Sequence, residues 1–206
     1  MADIERFGDT QLDVLREIGN IGAGHAATAL SKLLNKPVDM AVPRASLVPF
    51  DEIAEKAGGE EAVVVAVYFR VEGDAPGNLF FLMSLASSER LLAELTGQKR
   101  ESGEPFSELE ISALSEIANI LVGSYLSSLA DFTQLAFLPT IPGFAVDMAG
   151  AILSIGLLQF GAMGDHALLI ETTFFEDNEE VGGNLFLIPD PDSFHTIFAS
   201  LGVPLP

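Results

Sequence analysis

Two segments of the chain each place a carboxylate and a carboxamide close enough to act together. Glu17 and Asn20 lie three residues apart, and Glu116 and Asn119 repeat that spacing in the second half of the chain. Residues three apart on a helix are neighbours on its surface. A carboxamide accepts and donates hydrogen bonds without changing its protonation, and a carboxylate can pair with a cation. Each pair therefore has the groups needed to hold a polar partner or a water molecule.

Both pairs belong to a longer repeated pattern, Asp/Ser-x3-Glu-x2-Asn-x22-Pro. The first copy contains Asp13, Glu17, Asn20 and Pro43, and the second contains Ser112, Glu116, Asn119 and Pro142. A shift of 99 residues aligns 13–31 with 112–130, with seven of 19 positions identical. Gly-Asn-Leu-Phe then recurs at 77–80 and 183–186, at an offset of 106. We interpret the chain as a duplication whose halves are related by a pseudo-twofold axis.

The repeated pair alone does not establish a site. A Glu-x-x-Asn on a helix is most often a solvated surface pair, and a duplication copies inert residues as readily as active ones. The surrounding face is nevertheless unusual, because Gly24, Thr28 and Ser31 leave it without bulky side chains. Glycine inside a helix costs about 1 kcal/mol relative to alanine. Helix packing does not require Gly24 on a polar face, so we expect another surface to approach closely there.

Periodicity and turn signals predict the same element order twice. In the first half we expect helices over 9–34, 51–57 and 88–95, an extended segment over 38–48, and a hairpin of 62–71 with 78–85. In the second half we expect helices over 107–131, 148–160 and 193–200, an extended segment over 136–146, and a hairpin of 167–175 with 184–188. The predicted fold class is α+β: a duplicated α-β-α-ββ-α half, with an antiparallel sheet flanked by helices and two long helices that carry the motifs.

Charge and composition exclude several functions. The 206 residues carry 30 acidic and 10 basic side chains, so a net charge of −20 argues against nucleic-acid binding. All ten basic residues lie at or before Arg100, which leaves the halves with net charges of −5 and −15. The absence of cysteine excludes thiolate metal ligands, and the three histidines share no metal-ligand spacing. The longest uncharged run, 148–164, is short and interrupted by glycine, so we expect no membrane insertion and a cytoplasmic protein.

With these motifs and their surrounding residues, the chain resembles the CheC phosphatases of bacterial and archaeal chemotaxis. The resemblance rests on EIGNIGAG at 17–24, EIANILVGSYLSSLAD at 116–131, the GNLFFL hairpin and the closing DSFHTIFASLG. It favours CheC over the shorter CheX, which keeps one active motif, and over FliY, which has an added flagellar-switch domain. It implies a single CheC-like domain over 1–206, made of repeats at about 8–97 and 106–202 joined by a 98–105 linker.

The resemblance implies that the substrate is the phosphorylated response regulator CheY. Asn20 and Asn119 are then the candidates for positioning the attacking water, and Glu17 and Glu116 for docking against a lysine of the receiver domain. An exposed glutamate has a pKa near 4.3, so it is a weak general base and that role is less attractive. Asp13, Pro43, Ser112 and Pro142 would support the motif. We expect no cofactor of the chain's own, with Mg²⁺ carried by the receiver domain.

The resemblance also implies a partnership with the receptor deamidase CheD. Residues 148–160 carry no charge, whereas the matching first-half segment is charged. This difference indicates either a more buried helix or an exposed partner surface, and we predict CheD contacts at Asp147, Ile152 and Ile155, with Asp147 at the N-cap. The alternative function is a non-catalytic adaptor that sequesters CheD or phosphorylated CheY. If both sites are active, we expect the second to be at least as active, because Ser112 replaces the charged Asp13.

Overall fold

The structure, a computed structural model, describes residues 9–49, 52–97, 103–160, 166–176 and 179–202. The helices are α1 (Asp9–Leu34), α2 (Ile53–Lys56), α3 (Leu85–Thr96), α4 (Glu108–Thr133), α5 (Ala149–Phe160) and α6 (Ser193–Ser200). The strands are β1 (Asp39–Pro49), β2 (Val63–Gly73), β3 (Gly77–Ser84), β4 (Phe137–Pro139), β5 (Gly143–Met148), β6 (His166–Glu176) and β7 (Glu179–Pro189). The predicted α+β class is confirmed. Most of the predicted 98–105 linker lies outside the described residues.

The strands form one antiparallel sheet in which the two halves exchange their first strands. The order is β1-β6-β7-β3-β2, with β4 and β5 both paired to the outer edge of β2. Both predicted hairpins are present, β2 with β3 and β6 with β7. The extended segment of each half, however, pairs with the hairpin of the other half: β1 with β6, and β5 with β2. Local periodicity does not reveal this exchange, because it concerns segments far apart in sequence.

The centre of the sheet is the pair β3 and β7, which carry the repeated Gly-Asn-Leu-Phe. Phe80 lies opposite Phe186, and both side chains are buried. Asn78 pairs with Ile188 and Asn184 pairs with Leu82, so the two asparagines lie two residues on either side of the Phe80–Phe186 pair. The repeated tetrapeptide therefore lies where the two halves join.

Helices cover the two faces of the sheet unequally. Side chains of α1, α3, α4 and α6 share one large apolar core with the inner face of the sheet. The helices α2 and α5 pack on the opposite face, in a second core around Phe80, Phe186 and Ile53. By length and composition α4 is apolar enough to cross a membrane, but it lies against this core, with Leu114, Leu121 and other apolar residues buried. Burial accounts for its hydrophobicity.

Residues 136–146 were predicted as one extended segment, and this is wrong in detail. They form two strands, β4 and β5, separated by residues 140–142. Thr140 bonds to Arg70 twice, its N–H donating to the Arg70 carbonyl at 2.8 Å and its Oγ1 accepting from the Arg70 N–H at 3.1 Å. Pro142, which follows, has no N–H to continue a ladder. The interruption therefore falls at the second copy of the motif proline.

The helix over 148–160 is present as α5, but Asp147 is not its N-cap. Asp147 Oδ1 accepts from the N–H of Met148, which precedes the helix, at 2.8 Å. The first free N–H groups of α5 donate elsewhere, Ala149 to the carbonyl of Ala62 and Gly150 to that of Glu60. The turn before β2 therefore caps α5. By contrast, α4 begins with a capping box between Ser107 and Glu110.

Tyr125 joins the two long helices to the sheet. Its ring lies so close to α1 that a Cβ on Gly22 would stand 2.7 Å from Cδ1 and 3.1 Å from the Cα of Tyr125. Its hydroxyl shares a hydrogen bond of 3.1 Å with Thr172 Oγ1 on β6. The chemistry of glycine, which has no Cβ, is what lets α1 pack this closely against α4.

Replacing Gly22 with alanine should destabilise the protein. The added methyl group would clash with the Tyr125 ring and approach its backbone, and overpacking of this kind costs about 1–3 kcal/mol. Chemical denaturation measures the change. The matched control is Gly24→Ala on the same helix, where a Cβ meets nothing within 4 Å and stability should rise by about 1 kcal/mol. Equal effects of the two substitutions would contradict this packing.

Both tyrosines should ionise at a higher pH than tyrosine in an unfolded chain. The chain has two tyrosines and no tryptophan, and burial raises the pKa of both Tyr68 and Tyr125 to about 12. In the unfolded chain tyrosine ionises near 10, so between about pH 10 and 12 the unfolded state loses protons that the folded state keeps. Stability therefore falls with rising pH across that window.

Tyrosinate absorbance measures this titration directly. Tyr125→Phe serves as a control that isolates Tyr68, and the denatured chain should titrate near pH 10. A tyrosine that titrates near pH 10 while circular dichroism still reports native helix would refute the burial argument.

Candidate functional site

The polar face of α1 presents the first motif to solvent. Asp13, Glu17 and Asn20 are exposed, and around Gly24 the surface is open. Arg16 forms an exposed ion pair with Asp13 at 3.0 Å, which contributes little to stability. Glu17 is left on the surface one helical turn before Asn20, as the spacing predicts.

The second motif is presented in the same way by α4. Ser112, Glu116 and Asn119 are exposed, and a Cβ on Gly123 would meet nothing within 4 Å. Neither Gly24 nor Gly123 is therefore required by packing, in contrast to Gly22. Both Glu–Asn pairs lie next to a stretch of helix that a second surface can approach closely.

The structure brings β1 to the first motif. The Oδ1 atom of Asn20 accepts a hydrogen bond of 3.2 Å from the backbone N–H of Val42. Val42 directly precedes Pro43 in the sequence, so the backbone donor to Asn20 is the residue before the motif proline. Sequence reasoning assigned Pro43 to an extended segment but did not identify Val42 as the partner of Asn20.

The strand is irregular at this point. Ala41 pairs with Thr173 and Arg44 pairs with Glu171, so Val42 and Pro43 together oppose the single residue Thr172. This two-against-one pairing is a β-bulge, a feature that commonly redirects the chain beside functional sites. Thr172 is also the residue bonded to Tyr125, so the bulge lies next to the point where helices and sheet meet.

In the part of the chain that the structure describes, neither motif lines a deep cavity. A cleft of about 390 Å³ lies elsewhere, between the end of α2 and the strands β3, β6 and β7, and none of its lining residues belongs to either motif. An exposed, shallow helical face suits a macromolecular partner better than a small molecule, which normally binds in a concave pocket. His25 and His195 are exposed on different helices and take no part in either motif.

The predicted partner surface around α5 is only partly exposed. Asp147 is exposed at the end of edge strand β5, between Val146 at 39% and Met148 at 45% exposure. Ile152 is 7% exposed and belongs to the second core, so its side chain is not offered to a partner. The side chain of Ile155 lies outside the described residues. The exposed apolar surface thus follows β5 rather than the buried side of α5.

Comparison with known proteins matches both motifs. The CheC-like family model matches residues 11–47 and 109–145, which span Asp13 to Pro43 and Ser112 to Pro142. The CheY-P phosphatase CheC of Bacillus subtilis (strain 168) is 42% identical over 201 residues, which cover 96% of each chain. The flagellar motor switch phosphatase FliY of the same organism is 32% identical over 130 residues, 62% of this chain and 33% of FliY.

A solved structure has the same fold. The X-ray structure of Thermotoga maritima FliY superposes with a TM-score of 0.74 over 96% of this chain and 98% of that chain. Sequence identity in this superposition is 17%, so the likeness is one of architecture. The architecture of this chain is therefore shared with that structure.

Proposed function

The chain belongs to the CheC-like family, and on this basis we propose that it hydrolyses the aspartyl phosphate of phosphorylated CheY. The observation that carries the proposal is the exposure of two Glu–Asn pairs, each beside an open glycine, in a chain so similar to a CheY-P phosphatase. The repeated motif had predicted this family.

The reaction needs little covalent chemistry from this chain. A water oxygen attacks phosphorus in line with the aspartyl oxygen, and the bond from phosphorus to that oxygen breaks. Inorganic phosphate and the free receiver carboxylate are released, with the proton of the water passing to these products. The receiver domain would supply its own Mg²⁺ and lysine, which neutralise charge on the phosphoryl oxygens. The part left to this chain is to orient the water.

Asn20 and Asn119 are proposed to orient that water. A carboxamide offers an acceptor and a two-hydrogen donor at neutral charge, so it can hold a water molecule without being consumed as a base. Each asparagine would contribute by positioning. Holding the water in line with phosphorus in advance lowers the entropy cost of reaching the transition state.

Glu17 and Glu116 are proposed to dock the receiver. Each lies one helical turn before its asparagine, where a carboxylate can pair with a lysine of the receiver and set the register of the helix. The open surface at Gly24 and Gly123 then allows the backbone of each helix to approach the phosphorylation site.

Replacing both Asn20 and Asn119 with alanine should lower phosphate release from phosphorylated CheY by about a hundredfold or more, a typical loss for a positioning group. Each single variant should keep the activity of the other site. Phosphate release at a fixed CheY concentration measures the effect, and circular dichroism verifies folding. Lys32→Ala and Glu108→Ala, exposed positions on the same two helices, are matched controls and should behave like wild type.

The same assay separates catalysis from the adaptor alternative. An adaptor that sequesters phosphorylated CheY would bind it at stoichiometric amounts and release no phosphate beyond the receiver's own rate. A double variant that turns over as fast as wild type would rule out the asparagines as the positioning groups.

We further propose that CheD binds the surface along β5. Asp147 is exposed there beside the partly exposed apolar side chains of Val146 and Met148. Among the described residues β5 pairs with β2 alone, so its other side has no strand partner there, as an added partner strand would require. The second half has no lysine or arginine, so its surface suits a basic patch on the partner.

Reversing the charge at Asp147 should test this surface. Asp147→Lys should weaken CheD capture in a pull-down at least tenfold, because it places like charge against a basic patch. Asp131→Lys, an exposed aspartate at the end of α4, is the matched control. If a folded Asp147→Lys variant captures CheD as wild type does, the proposed surface is wrong.

A further inference from the structure

The asparagines of the two motifs are held differently. Asn20 Oδ1 accepts from the Val42 N–H at 3.2 Å. Among the described residues, the side chain of Asn119 has no hydrogen-bond partner, although the repeat places Ile141 where Val42 stands. A backbone N–H can face only the oxygen of a carboxamide, so the Val42 bond also decides which way the Asn20 amide is turned.

The Val42 N–H lies at the bulge of β1. Val42 and Pro43 share a single opposite residue, so neither belongs to a regular pair of the ladder to β6, and the Val42 N–H donates to Asn20 instead. Pro43 has no N–H of its own. Val42 itself is buried, so its N–H would be costly to leave without an acceptor.

Gly19 brings α1 within reach of the bulge. A Cβ on Gly19 would lie 3.4 Å from Val42 Cγ1 and 3.8 Å from Ile170 Cγ2, so the helix backbone lies directly over β1. Asn20 is the next residue, and this proximity allows a short side chain to reach the strand backbone.

The second half lacks each of these features. Ala118 stands in place of Gly19, and residues 140–142 form a gap between β4 and β5 instead of a bulge. Thr140 ties this segment to Arg70 on β2. Ile141 is 91% exposed, whereas Val42 is 3% exposed. The segment is therefore held to the sheet rather than to Asn119.

We propose that the backbone N–H of Val42, at the bulge that Val42 forms with Pro43, is a positioning group that locks the carboxamide of Asn20 with its oxygen toward β1 and its NH₂ outward. This inference rests on the proposed function, and it makes the two sites unequal. The first presents a donor toward the receiver, and the second presents an amide free to turn its oxygen to the water. Since water is oriented for attack by donating to an acceptor, the second site should carry more of the turnover.

Amide hydrogen exchange of the 206-residue chain, followed by NMR, tests the lock without reference to activity. In Asn20→Ala the Val42 amide should exchange at least about fivefold faster than in wild type, the effect of one lost hydrogen bond. Asn20→Asp keeps an acceptor oxygen and should restore slow exchange. Asn119→Ala is the matched control and should leave Val42 unchanged.

Two outcomes would overturn the lock: an equal Val42 exchange rate in wild type and Asn20→Ala, or equal acceleration in Asn119→Ala, which would indicate global loosening. Phosphate release from the single alanine variants tests the ranking, with Asn119→Ala expected to lose the larger share. If wild type shows slow Val42 exchange but releases no phosphate, the lock is supported and the proposed function is wrong. If wild type releases phosphate but Val42 exchange does not depend on Asn20, the proposed function is supported and the lock is wrong.

Discussion

The contact between Tyr125 and α1 sets the positions of the other parts of the site. A side chain at residue 22 would push the two long helices apart, so the absence of a Cβ there fixes how closely α1 and α4 approach. The Tyr125 hydroxyl reaches Thr172 on β6, and Thr172 lies opposite the bulge that carries Val42. Through these contacts α4, the sheet and β1 are held in one arrangement, and β1 in turn holds Asn20.

An ion pair between the two halves neutralises part of the excess negative charge of the second half. The second half has no cation of its own, yet Asp190 forms a two-pronged ion pair with Arg70 of the first half at 2.8 and 2.6 Å. Arg70 also anchors Thr140 through its backbone. The pairing of β3 with β7 makes this sharing possible, because it places Asp190 beside the end of β3, next to Arg70 on β2. Among the described residues of the second half, Glu104, Glu108, Glu116, Asp131, Asp147 and Asp192 are exposed to solvent.

Much of the fold and the site was predictable because it depends on local pattern. Helix periodicity and caps predicted α1 and α4 within a few residues, and turn signals predicted both hairpins. The exposure of Glu17, Asn20, Glu116 and Asn119 followed from their shared helix face. The break between β4 and β5 and the capping of α5 by the turn before β2 were missed, and the sequence left open whether α5 is buried or exposed, since each depends on an element distant in sequence.

The sequence by itself determined which functional groups are present: two Glu–Asn pairs with the same spacing, on helices where Gly24 and Gly123 add no side chain to the exposed face. Tertiary structure decided how each pair is used. It placed a bulged strand against Asn20 and an interrupted, exposed segment near the second copy, although the two sequences share the same motif. The physical reason is that a hydrogen bond to the backbone depends on strand register and helix approach. Those are set by long-range packing, which a motif spacing does not encode.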